Sequence, residues 1–164
     1  MNPDEEGFYD AIAFWDENRG VAFSDNIKGV FPIIRTEDGG KKWVRVPAAD
    51  IPPALKGEGG FAASGTCLIV GENGRAWIGT GASSQKARVL RSLDYGKTWE
   101  VADTPIVADS GTSGINALLF VNARKGYAFG GDFQKESPPE NRVATTDDGG
   151  KTWRLLPNPA LKGS

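Results

Sequence analysis

"TTDDGGKTW", Thr145 to Trp153, sets two acids and two glycines ahead of a lysine and a tryptophan. Such a stretch suits either a cation-binding or catalytic loop built on Asp147 and Asp148, or a tight turn that joins two strands. Recurrence decides between them. "TEDGGKKW" (Thr36 to Trp43), "SLDYGKTW" (Ser92 to Trp99) and "TDDGGKTW" (Thr146 to Trp153) are one eight-residue pattern, with Asp38, Asp94 and Asp148 spaced 56 and 54 residues apart. A residue set used three times at an even period is a poor candidate for one active site and a good one for a repeated turn.

The repeat extends upstream. "FYDAIAFWDENRGVAF" (Phe8 to Phe23), "SGTCLIVGENGRAWI" (Ser64 to Ile78) and "INALLFVNARKGYAF" (Ile115 to Phe129) occupy the same place in three units. Laid over one another, Phe14, Ile69 and Phe120 coincide, as do Phe23, Ile78 and Phe129, and Glu17-Asn18 falls on Glu72-Asn73. Each unit reads as four short strands separated by turns, the signature of a propeller blade. First strands are apolar at nearly consecutive positions, as strands buried on both faces should be. Fourth strands such as "KWVRV" and "TWRLL" alternate with charges, which suits a half-exposed rim. The expectation is an all-β chain, a single unit over residues 1–164 with three four-stranded antiparallel propeller blades at about 8–47, 61–103 and 113–157.

Within each octamer the aspartate is placed to accept hydrogen bonds from backbone N–H groups just ahead of it, and the preceding Ser or Thr to brace the same turn. Gly40, Gly96 and Gly150 supply the positive φ that the turn demands. Trp43, Trp99 and Trp153 then pack between neighbouring sheets, each burying on the order of 200 Å².

The octamer resembles the Asp-box, or bacterial-neuraminidase repeat, of sialidase-like propellers. All three copies carry its core: Thr36, Asp38, Gly40 and Trp43; Ser92, Asp94, Gly96 and Trp99; Thr146, Asp148, Gly150 and Trp153. "IIRTEDGGKKW" and "VATTDDGGKTW" are similar to bacterial proteins of the photosystem-II-assembly-factor-like group, most of which lack an assigned activity. The resemblance implies that the boxes lie between strands three and four, away from the active face, and that relatives are often exported. Sialidase activity would further need three arginines, a Tyr/Glu pair, an acid/base Asp and an early Arg-Ile-Pro. Here "VFPIIRT" stands in place of that last marker, and no Glu is placed to pair with Tyr9 or Tyr127.

Composition excludes other chemistries. The chain has 164 residues, no histidine and one cysteine, so Ser-His and Cys-His catalysis, a disulfide and a thiolate metal site have no basis. Cys67 in "TCLIV" reads as a buried thiol. A net charge of −2, with no Lys/Arg cluster longer than two, argues against nucleic-acid binding. No apolar stretch approaches the roughly 18 residues of a membrane-spanning helix, and "MNPDEEGFYD" lacks a leader pattern. No cofactor is expected.

Function is expected on the face carrying the variable loops: 47–60 and 102–112 after fourth strands, and 24–29, 79–87 and 130–141 after second strands. Asp25 and Asp132 end second strands and Asp10 begins a first strand, so the three are candidates to meet at the channel mouth, as glycosidase carboxylates or as solvated turn residues. The favoured expectation is a non-catalytic scaffold for a protein or glycan. Three blades do not close a ring, which needs roughly four to eight. Two copies closing as a six-bladed homodimer, or an excerpt of a longer propeller, are the two solutions.

Overall fold

Three antiparallel sheets follow one another along the chain in the computed structural model, which describes residues 7–62, 65–135 and 141–156. The first sheet contains β1 (Tyr9–Phe14), β2 (Gly20–Ser24), β3 (Ile33–Thr36) and β4 (Val44–Arg45), paired in that order. After a two-residue strand β5 (Glu58–Gly59), the second sheet is built from β6 (Leu68–Gly71), β7 (Arg75–Gly79), β9 (Arg88–Ser92) and β10 (Glu100–Asp103), with β8 (Gly81–Ala82) between β7 and β9 in the chain. The third contains β11 (Ser113–Phe120), β12 (Gly126–Asp132), β13 (Val143–Thr146) and β14 (Arg154–Leu155). It continues through β8 and β5, so the order is β14-β13-β12-β11-β8-β5, six strands where four were expected. Each sheet is a propeller blade. Ser64, residues 136–140 of the last loop and residue 157 lie outside the described residues.

The innermost strands β1, β6 and β11 lie side by side, and β4 and β14 are exposed at the rim. The alternation of charge along the fourth strands and the apolar runs of the first thus mark the two edges of each blade. Two cores fill the seams. One packs Val21, Phe23, Phe31 and Ile33 of the first blade against Leu68 and Trp99 of the second. The other packs Trp77 and Val89 of the second against Ile115 and Leu118 of the third. Burying one such large side chain contributes about 1.5–3 kcal/mol, so the seams, more than the short ladders, hold the blades together.

Strand pairing corrects the alignment of the second unit by one residue. Thr36, Ser92 and Thr146 pair with Gly20, Ala76 and Gly126, which pair in turn with Phe14, Val70 and Phe120. Val70 and Gly79 therefore replace Ile69 and Ile78 as the partners of Phe14 and Phe23, and Glu17-Asn18 matches Asn73-Gly74. The cause is the tight turn at Asn73 and Gly74, both at positive φ (+57° and +77°), which sits one position later than the Glu-Asn likeness implied. A one-residue slip reverses faces. Ile69 thus packs toward the third blade and Val70 toward the first.

With that register, the two outer faces differ from the inner ones. Ile12 is 57% exposed, whereas its equivalents Leu68 and Leu118 are 2% and 5% exposed beneath the preceding blade. On the opposite side Phe129 is 37% exposed, whereas its equivalent Phe23 is fully buried under the following blade. Phe14 widens the first open face, Phe8 and Val44 are exposed on the first blade, and Leu119, Val121 and Leu155 are exposed on the third.

Candidate functional site on the loop face

The three boxes have one geometry. The Thr36, Ser92 and Thr146 hydroxyls each donate to the box aspartate at 2.8 Å and accept the box glycine N–H at 2.9, 2.9 and 3.0 Å. Asp94 accepts the N–H groups of Lys97 and Thr98 at 3.0 Å and the Thr98 hydroxyl at 2.7 Å. Asp148 repeats this with Lys151 and Thr152. Asp38 has Lys42 where the others have Thr, and accepts its N–H at 2.9 Å. Gly40, Gly96 and Gly150 have φ of +86°, +73° and +90°. Burial tends to raise the Asp148 carboxyl, but the bonds from Thr152, Thr146 and Lys151 outweigh it and hold it well below the usual range. Asp147, the other acid of the opening stretch, is paired with Lys125 at 2.7 Å and Arg154 at 2.8 Å. Asp148 is occupied by its own turn and Asp147 by two cations that flank it. Trp99 is buried between the first two blades, while Trp43 and Trp153 are half-buried.

The boxes cluster with the β1–β2 type of turn, through Gly39 N–H to Asn18 O and Gly149 N–H to Arg124 O. The candidate carboxylates lie at the opposite ends of the same strands. Of the three, the structure brings two together. Asp10 occupies the bulge in β1, is 8% exposed, and has an Oδ2 atom buried with no hydrogen-bond partner. Burial first, and then the negative charge of Asp25, push its carboxyl up to about 7, against a lowering hydrogen bond from the Asp25 backbone. Asp25 is exposed, and its Oδ1 accepts the Gly60 N–H at 2.7 Å. Gly60 permits this contact because it has no side chain. A Cβ there would stand 2.5 Å from the Phe23 ring and 2.9 Å from Asp10 Oδ2.

Asp132 has different partners. It accepts the Thr112 hydroxyl at 2.6 Å, the Ser110 hydroxyl at 2.9 Å and the Gln134 N–H at 3.0 Å, and pairs with Lys135 at 3.3 Å. The Thr112 bond leads a set that holds its carboxyl far below the usual range, despite burial. Asp10 and Asp132 are both buried, so the reading as solvated turn residues fits Asp25 alone.

Sequence reasoning missed the best-organised polar group on this face. Glu58, fully buried in β5, accepts both the Nε and Nη2 of Arg88 at 2.8 and 2.5 Å, the Thr80 hydroxyl at 2.5 Å and the Leu55 N–H at 2.7 Å. Arg88 also donates to Pro53 O at 2.9 Å. Every strong site on the carboxylate is filled, which a buried ion pair requires. One signal was available: Arg88 opens "RVLRS", a strand buried at all five positions, where an arginine calls for a counter-charge. Around this pair β5 joins β8, and β8 joins β11 through Gly81 and Gly114, so the loops of two blades form one small sheet. Phe61 and Phe133 meet edge to face at 6.2 Å above it. Among the described residues no group of three or more His, Cys, Asp or Glu side chains is arranged to hold a metal. Burial pushes the Cys67 thiol up, away from the reactive thiolate.

Comparison with known proteins places the repeat. Residues 144–155 match the family model of the BNR/Asp-box repeat. This chain carries an Asp-box. No curated protein sequence matches it. Solved structures resemble its Asp-box blades over nearly all of their length. The GH74 enzyme of Niastella koreensis superimposes with a TM-score of 0.64 at 20% identity, over 91% of this chain and 22% of that one. YCF48 bound to D1 peptide gives 0.56 at 16%, over 90% and 39%. The GH74 xyloglucanase of Xanthomonas campestris gives 0.58 at 19%, over 89% and 23%. Identities this low establish the propeller fold alone. The chain spans well under half the length of each of these structures.

Proposed function

We propose that this Asp-box chain is a non-catalytic binding module that presents the loop face to a protein or glycan ligand, its ring completed by a second copy. The observation that carries the binding role is the Glu58–Arg88–Thr80 network. It fixes the linker between the first two blades onto the second blade, where the Gly81–Gly114 bridge joins it to the third, and a binding surface gains affinity from such pre-organisation. Exposed Phe133, edge-on to Phe61, gives that platform an aromatic anchor of the kind interfaces favour. YCF48 has a peptide bound in its solved structure, which lends support to a peptide ligand here. Completion by a second copy is supported by Ile12 and Phe14 at one end and Phe129 at the other, apolar side chains left exposed on open blade faces.

Glycoside hydrolysis is a second reading, favoured by one observation. Asp10, its carboxyl pushed up to about 7, stands beside Asp25, and a carboxyl that holds its proton near neutrality suits an acid role. Two assays on the purified protein divide the readings. Selection from a displayed peptide library should yield binders that are lost in Phe133→Ala, with a panel of fluorogenic glycosides left unhydrolysed. Glycoside turnover that disappears in Asp10→Asn and Asp25→Asn would instead establish the enzyme.

A further inference from the structure

Each internal seam is locked at the same box position. Between the first and second blades, Arg35 Nε donates to the carbonyl of Tyr95 at 2.8 Å. Between the second and third, the Trp77 indole N–H donates to the carbonyl of Gly149 at 2.9 Å. Tyr95 and Gly149 both stand directly after the box aspartate. The residue at that place in the first blade is Gly39, and no blade precedes it among the described residues. The second seam also has an aromatic stack: Trp77 lies on Phe120 with ring centroids 3.8 Å apart and planes 13° apart, against Gly150.

The pairing register identifies the counterparts at the open ends. Phe120 corresponds to Phe14, which is 40% exposed, and Gly150 corresponds to Gly40. Trp77 corresponds to Tyr127, which pairs with Thr145 as Trp77 pairs with Arg91. Tyr127 lies on the outer face of the third blade with Phe129, their centroids 6.4 Å apart. One open end therefore holds the socket of a seam, and the other end holds an aromatic plug at the matching height.

We infer that the closing seam is made by a second copy of this chain, with Tyr127 of each copy stacked on Phe14 of the other and its hydroxyl donating to the Gly39 carbonyl. This inference rests on the proposed two-copy ring and adds its chemistry. Such a head-to-tail contact, made twice, closes after two copies and leaves neither face open. Six blades fall within the roughly four to eight of known rings.

Sedimentation equilibrium on the full chain and four variants tests it. Tyr127→Ala and Phe14→Ala should each raise the dimer dissociation constant about tenfold or more, and the double variant should cost less than the two combined, as contacting residues do. Tyr127→Phe, which keeps the ring, should weaken the dimer only about three- to tenfold. Tyr127 sits at the surface, and circular dichroism checks that each variant folds. A wild-type dimer indifferent to Tyr127→Ala and Phe14→Ala would overturn this seam while leaving the two-copy ring standing. A wild-type chain that stays monomeric at all concentrations would overturn both.

Discussion

At the scale of single residues, the Asp-box is a device for saturating one carboxylate with its own turn. The first box makes fewer bonds than the other two, which makes them an internal experiment. Asp94 and Asp148 accept a threonine hydroxyl that Asp38, followed by Lys42, lacks. Asp94→Ala and Asp148→Ala should each lower the urea midpoint clearly, and Asp38→Ala should lower it less. Proton linkage gives a second expectation. Asp10 has its folded value raised from 3.8 to about 7, so the folded state holds a proton that the unfolded chain has released between those values. Its contribution is fully present below about pH 4 and is lost as pH rises through 7. Asp132 and Asp148 are depressed, so their contribution is present above about pH 4 and is lost on acidification below it. Stability measured from pH 3 to 8 should pass through a maximum between these limits, and Asp10→Asn should flatten the alkaline side. An unchanged alkaline slope in that variant would remove Asp10 from the account.

At the scale of elements, the boxes and the apolar first strands were legible because each rests on local spacing: Asp38, Asp94 and Asp148 mark the turns, and Gly40, Gly96 and Gly150 their positive φ. The second blade was misread by one residue because Glu72-Asn73 looks like Glu17-Asn18, while the backbone turns at Asn73-Gly74. β5 and β8 were invisible for a different reason. They are two residues each, and their pairing depends on a contact between distant loops that no periodicity encodes. Glu58 looked like a solvated loop acid for the same reason. That placement is testable: Glu58→Ala leaves Arg88 buried without its counter-charge and should cost about 3–5 kcal/mol. Because the loss falls on the platform, hydrogen exchange should rise first in β5 and β8. A substitution tolerated within about 0.5 kcal/mol, the usual range for a surface position, would mean that the pair does not organise the loop face.

At the scale of the whole molecule, the box repeat does its work as a counter of blades, and the count of three defines what is left to explain. Inner seams bury Leu68, Leu118 and Phe23 almost completely, while the same register positions at the two ends, Ile12 and Phe129, stand open. Apolar side chains at those positions make sense when another blade covers them. The loop face, by contrast, is built from residues within the chain: Glu58 with Arg88, Asp132 with Ser110 and Thr112, and Asp10 with Asp25. The proposed recognition and closure fall on different surfaces, so substitutions on one should leave the other intact. The central claim, that three blades are half of a ring closed by a second copy, is tested most directly by the mass of the purified chain in solution. Light scattering at micromolar concentration should give a single species of twice 17.5 kDa, and a monodisperse species at 17.5 kDa would contradict it.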